Sequence, residues 1–151
     1  MMKKGLFIAV MLCLASTTWA EQVVVETKNT SLVLEVEKGQ QPKYVYYGKK
    51  LNAQELQHLQ CPAVFGRMEV YPAYGLNTPA EAALAMRHAD GNLSTHLLAE
   101  YYEQGEVVDE GNFVTCITMK DPVYPITVTL NYKAYVEEDM IEAWTEITNG
   151  E

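Results

Sequence analysis

Cysteine is scarce in this 151-residue chain, which has only Cys13, Cys61 and Cys116. A zinc site needs three or four ligands. His58 and Cys61 form one H-x-x-C pair, but no second close pair accompanies it, so no metal site is expected. Basic residues are also few: Lys and Arg total 11 against 20 Asp and Glu, a formal charge of −9. Such a surface repels a phosphate backbone, which excludes a general nucleic-acid binder. A neutral sugar is an easier partner. Long apolar runs are missing except for one of 11 residues over 5–15, well short of the roughly 20 that span a bilayer. There is no G-x-S-x-G, no phosphate-binding loop and no Cys-His pair in nucleophile context. Nothing repeats at a fixed period, and no linker divides the chain.

What is present is a globular composition, 48% apolar and 21% charged, of a size for one domain. The apolar run follows Lys3 and Lys4 and precedes Ser16-Thr17-Thr18-Trp19-Ala20. That order of basic, apolar and small residues reads as a signal peptide over 1–20, cleaved after Ala20. The mature chain, 21–151, is then periplasmic or secreted, with no membrane span. Its charge becomes more negative, because Lys3 and Lys4 leave with the leader. Two cysteines remain, 55 positions apart. An exported protein tolerates a disulfide between them, and two buried free thiols are the ordinary alternative.

The mature chain reads as strands. Over 126–136, Ile126, Val128, Leu130, Tyr132, Ala134 and Val136 share one face, against Thr127, Thr129, Asn131, Lys133 and Tyr135. Period two with β-branched and aromatic residues marks a half-buried strand. Residues 113–120 and 140–148 alternate similarly, as do 23–26, 32–37 and 43–47. Asn52 and Glu55 make a capping box for a short helix over 52–60, with Leu56 and Leu59 inward. Thr78-Pro79-Ala80-Glu81 also has helix-start chemistry, yet Asp90-Gly91 is a hairpin-type turn that asks for a strand over 82–88. Asp90, Asp109, Asp121 and Asp139 adjoin Gly, Glu, Pro or an acidic run, the surroundings of turn residues rather than of a catalytic pair. Asn149-Gly150 supplies a hairpin dipeptide followed only by Glu151, so 21–151 reads as an incomplete folding unit. Tyr71-Pro72-Ala73-Tyr74-Gly75 interrupts the pattern with two aromatics and a rigid turn. Aromatic faces stack on sugar rings, and packing onto a sheet is the plainer use of the same residues.

A series of segments carries a resemblance. They are Glu69-Val70-Tyr71-Pro72-Ala73-Tyr74-Gly75, then Arg87-His88-Ala89-Asp90-Gly91-Asn92-Leu93-Ser94-Thr95, then Lys120-Asp121-Pro122-Val123-Tyr124-Pro125. Leu130-Asn131-Tyr132-Lys133-Ala134-Tyr135, Glu138-Asp139-Met140-Ile141-Glu142 and Trp144-Thr145-Glu146-Ile147-Thr148-Asn149 complete it. In order and spacing the series resembles the N-terminal domain of glycoside hydrolase family 36, the family of many bacterial α-galactosidases. The resemblance implies an all-β, twisted β-sandwich of the supersandwich kind, here partial and with one short helix. In the family it precedes a (β/α)8 barrel that holds two catalytic aspartates and acts with retention. No catalytic residue maps onto this chain, which alone is expected to be inactive, with no cofactor and no metal. Tyr74 and Asn77 are the candidate substrate contacts, although Leu76-Asn77-Thr78-Pro79 departs from the family's acidic-aromatic-Arg stretch. The resemblance also selects the strand over 82–88. The implied role is a non-catalytic segment of an exported α-galactosidase that packs on the barrel, shapes the site entrance and supports a homo-oligomer. The alternative is a free-standing secreted carbohydrate-binding or structural β-sandwich module.

Overall fold

The computed structural model describes residues 20–61, 68–75, 81–109 and 111–150. Of the expected leader only Ala20 lies within them, and Asn77 lies outside. In chain order the described elements are β1 (Glu21–Glu26), β2 (Thr30–Val36), β3 (Lys43–Lys49), α1 (Ala53–His58), β4 (Leu98–Asp109), β5 (Asn112–Lys120), β6 (Ile126–Tyr135) and β7 (Met140–Asn149). They form two antiparallel sheets, β1-β2-β3 and β4-β5-β6-β7, packed as a β-sandwich.

The core follows from the period of two. Val23, Val25, Leu32, Leu34 and Val36 from the first sheet meet Ile117, Met119, Val128, Leu130, Tyr132 and Ala134 from the second. Full burial of each Leu or Ile is worth about 1.5–3 kcal/mol, so this seam dominates stability. In β6 the expected face is the buried one, from Ile126 through Ala134. Register carries it across the sheet, with Leu130 opposite Ile117 on β5 and Thr145 on β7. On β7 the alternation does not become burial: from Glu142 to Asn149 every side chain is exposed, Trp144 and Ile147 included. Among the described residues β7 is the last strand of its sheet and pairs only with β6, and its Ile141 packs against the core.

The capping box of α1 forms as expected. Asn52 Oδ1 accepts from the N–H groups of Gln54 and Glu55 at 2.9 and 3.0 Å, and Glu55 Oε2 accepts from Asn52 N–H at 2.7 Å. The helix is shorter than expected and buries no residue fully; Leu56 and Leu59 are half-buried. No described helix is long and apolar enough to cross a membrane.

Beside the bonds from Tyr102 to Glu21 and from Gln104 to the Val24 carbonyl, turns at both ends tie the sheets together. At one end the β1–β2 turn docks on the β6–β7 turn. Asp139, at φ 56°, accepts from the Thr27 hydroxyl, from Asn29 N–H at 3.1 Å and from Asn29 Nδ2 at 3.3 Å. Those donors, the Thr27 hydroxyl foremost, hold its carboxyl below the usual carboxylate range. At the other end Gly39 N–H donates to the Ala99 carbonyl, and Ala99 N–H donates to that of Gln40, both at 2.8 Å.

The strand expected over 82–88 does not form. The Asp90-Gly91 turn is present, closed by His88 N–H to the Asn92 carbonyl at 2.9 Å, with Gly91 at φ 87°. Its two arms do not pair because both bond the same third segment. Ala83 N–H donates to the Pro72 carbonyl and Tyr74 N–H to that of Leu84 on one side, while Thr95 N–H donates to the Tyr74 carbonyl on the other. Residues 72–74 thus stand between the arms, and the only bridge over 82–88 is Leu84 with Ala73.

Candidate functional site

Three segments converge beside the sandwich: 71–75, 88–96 and the turn after β5, 121–125. The first leaves the edge of β3, where Tyr44 N–H donates to the Met68 carbonyl and Val70 N–H to that of Pro42. It buries Ala73 completely and leaves Tyr74 half exposed, at 51%. Gly75 follows at φ 99°, flat against Ser94: a Cβ there would lie 2.7 Å from the Ser94 Cα. Glycine is required on both counts.

The turn after β5 is built by Asp121. Its Oδ1 accepts from the N–H groups of Val123 and Tyr124 at 2.8 and 3.0 Å, and its Oδ2 from His96 N–H at 2.6 Å. Burial works against the charge of this carboxylate. The three backbone donors outweigh burial and hold its pKa below the usual range. Asp90 is held low as well, first by Asn92 N–H at 2.9 Å and then by the Tyr124 hydroxyl at 2.8 Å. Both aspartates are therefore turn residues, as the sequence pattern implies. Neither has the raised pKa that a general acid needs at neutral pH.

His88 and Tyr124 join these loops. Their rings stack face to face, with centroids 3.4 Å apart and planes 8° from parallel. His88 is buried, and its Nε2 lies 3.1 Å from the Ser94 carbonyl oxygen and 3.0 Å from Thr95 Oγ1. A carbonyl only accepts, so this nitrogen carries the proton. The Tyr124 hydroxyl donates to Asp90 and accepts from Asn92 Nδ2 at 2.8 Å. Beside the stack is an open hollow of about 310 Å³, lined by Gly75, Asn92, Thr95, His96, Asp121 and Tyr124.

Of the two expected sugar contacts, Tyr74 is exposed at the rim of this cluster, and Asn77 is outside the described residues. His58 ends α1 in solvent, and Cys61 Sγ lies 3.9 Å from the Tyr44 carbonyl. Among the described residues no three His, Cys, Asp or Glu side chains gather closely enough to hold a metal. Cys61 and Cys116 are free thiols, half-buried rather than buried. Burial pushes both up from the usual thiol value, away from the thiolate form. Sequence reasoning does not find the His88–Tyr124 stack. The signal available was that His88 and Tyr124 both fall in the strings that carry the family resemblance.

The described residues define a β-sandwich domain with a cluster of loops beside it. Residues 40–151 match the glycosyl hydrolase family 36 N-terminal domain, and the chain belongs to that family. Among solved structures, the α-galactosidase from Lactobacillus brevis superimposes with a TM-score of 0.72 at 17% identity, over 87% of this chain and 22% of that one. The GH36 α-galactosidase AgaA from Geobacillus stearothermophilus gives 0.70 at 20% identity, over 85% and 22%. The galactosidase domain of the α-galactosidase–sucrose kinase AgaSK gives 0.71 at 20% identity, also over 85% and 22%. At these identities the likeness establishes the fold. No curated protein sequence matches the chain. The chain spans about a fifth of the length of these solved proteins.

Proposed function

We propose that this chain is the non-catalytic N-terminal segment of an exported α-galactosidase. In the full-length polypeptide it packs on a (β/α)8 barrel, shapes the entrance to the sugar site and supports a homo-oligomer, while the barrel hydrolyses terminal α-galactosides. The observation that carries this reading is the family match over residues 40–151, together with superposition on α-galactosidases several times as long. Variants of AgaA have been solved with stachyose and with raffinose, both bound by that protein. Tyr74 is one of several exposed aromatics, and it is held by backbone bonds on both sides, a form suited to stacking on a sugar ring. The basic, apolar and small residues of 1–20 support export to the periplasm or beyond.

The test uses the full-length polypeptide with its leader. Hydrolysis of p-nitrophenyl α-galactoside in the exported fraction is expected, with a raised KM when Tyr74 becomes Ala. An intact full-length product without galactosidase activity, or active protein retained wholly in the cytoplasm, would refute the corresponding part.

A further inference from the structure

We infer that the stacked pair His88–Tyr124 is the positioning element for Tyr74, and that it governs sugar binding through that residue without touching sugar. The inference rests on the reading of Tyr74 as a substrate contact.

The argument begins with what holds Tyr74. Its carbonyl accepts from Thr95 N–H at 3.0 Å, and the next residue, Gly75, lies against Ser94. The place of Tyr74 is therefore set by 94–95 on one side, while the Leu84 carbonyl takes its N–H at 2.9 Å on the other. Those two residues belong to no strand, so no ladder of hydrogen bonds fixes them. They are anchored by Asn92 Oδ1, which accepts from Ser94 N–H at 3.1 Å, and by His88, whose Nε2 faces the Ser94 carbonyl and the Thr95 hydroxyl together. His88 is in turn fixed by lying flat on Tyr124. Tyr124 is pinned at both ends: its hydroxyl joins Asp90 and Asn92, and its N–H donates to Asp121, whose other oxygen holds His96. A continuous set of contacts thus runs from the β5–β6 turn to the backbone of Tyr74, whose ring is exposed.

Histidine fits this place because it combines a flat ring for stacking with an N–H at the ring edge. Phenylalanine keeps the first and loses the second. Leucine in place of Tyr124 does the reverse, removing the stack and leaving the histidine donor.

The experiment compares His88→Phe, Tyr124→Leu, Tyr74→Ala and the double variant His88→Phe/Tyr74→Ala in the full-length enzyme. One readout is hydrogen exchange at the Thr95 amide, the bond to Tyr74 itself. With His88→Phe or Tyr124→Leu that amide is expected to exchange about tenfold faster or more, while amides of β6 around Leu130 keep their rates. The second readout is kinetics on p-nitrophenyl α-galactoside. His88→Phe should raise KM by about 3- to 10-fold, the loss of roughly one neutral hydrogen bond, with kcat within about twofold. Because His88 acts through Tyr74, the double variant should have the KM of Tyr74→Ala alone.

Unchanged Thr95 exchange in both stack variants overturns the inference, whatever the kinetics. Faster exchange at Thr95 and in β6 alike also overturns it, since His88 is then a general stability residue. Multiplying effects in the double variant overturn the action through Tyr74. If Thr95 exchange responds but Tyr74→Ala leaves KM unchanged, the sugar-contact reading itself is refuted, and the effect on binding falls with it.

Discussion

Replacing Asp121 by Asn changes one atom and tests the loop cluster directly. The side chain is buried, and its two oxygens take three backbone N–H groups. The asparagine oxygen can still serve Val123 and Tyr124. Its amide nitrogen then faces His96 N–H, donor against donor. Hydrogen bonds to a charged group contribute about 1.5–3 kcal/mol each, and an orphaned buried donor costs about 1–3 kcal/mol. A loss of about 2–4 kcal/mol at pH 7 is therefore expected, which for a domain of this size lowers Tm by about 8–16 °C. Alanine, which abandons all three donors, should cost more.

The loss should also depend on pH in a defined direction. The folded-state pKa of Asp121 is lowered, so the folded state binds fewer protons than the unfolded state near that pKa. Its contribution is fully present above the unfolded carboxylate value near ~3.9 and disappears as pH falls through the folded value. Asp90 and Asp139, also lowered, titrate in both proteins and cancel from the difference. Urea unfolding of dilute 21–151, followed by circular dichroism, should give a constant gap between wild type and Asp121→Asn from pH 7 to 5. The gap should close below about pH 4. A gap under about 1 kcal/mol at neutral pH, or one that persists in acid, would refute the assignment of the turn to this carboxylate.

Leu130→Ala should cost about 2–5 kcal/mol in the same assay, and Thr129→Ala on the opposite face well under that; equal losses would mean that the facing of β6 is wrong. Purified 21–151 should release no galactose from an α-galactoside, and hydrolysis abolished by changing one aspartate would refute this. The exposed β7 edge should make 21–151 self-associate or bind a hydrophobic dye, whereas a monomer with a sharp melt and no dye binding would show that the edge is protected.

The fold was most legible where local chemistry and tertiary packing ask for the same thing. The alternation of β6 survives because strands lie on both sides of it and a second sheet covers one face. The capping box of α1 involves only residues three apart, and it forms unaided. β7 shows the limit of that reading. Its sequence alternates as well as that of β6, but alternation states which side chains share a face and not whether anything covers it. Residues 82–88 fail for another reason. The turn at Asp90-Gly91 was readable, yet no local rule announces that 72–74 would pass between its arms and take the hydrogen bonds of both. The His88–Tyr124 stack joins positions 36 apart, and nothing in either neighbourhood marks the other as its partner. Tyr74 stood out because two aromatics about a proline break the period.

The clasp at Asp139 has a consequence for the order in which the molecule assembles. Its oxygens serve Thr27 and Asn29, which precede it by 112 and 110 positions. At a synthesis rate of about 5–20 residues per second, the β1–β2 hairpin waits roughly 6–20 s for the residue that locks it down. Hairpins form in about 1–10 μs, so the N-terminal sheet is made early and tethered late. Until β5 and β6 follow, the valines of β1 and β2 have no second sheet to cover them. Closure by such distant partners makes folding slow for the size of the domain. The nascent chain is thus most vulnerable to misassociation before Asp139 emerges, and a substitution at this exposed turn would act on folding yield before it acted on the finished fold.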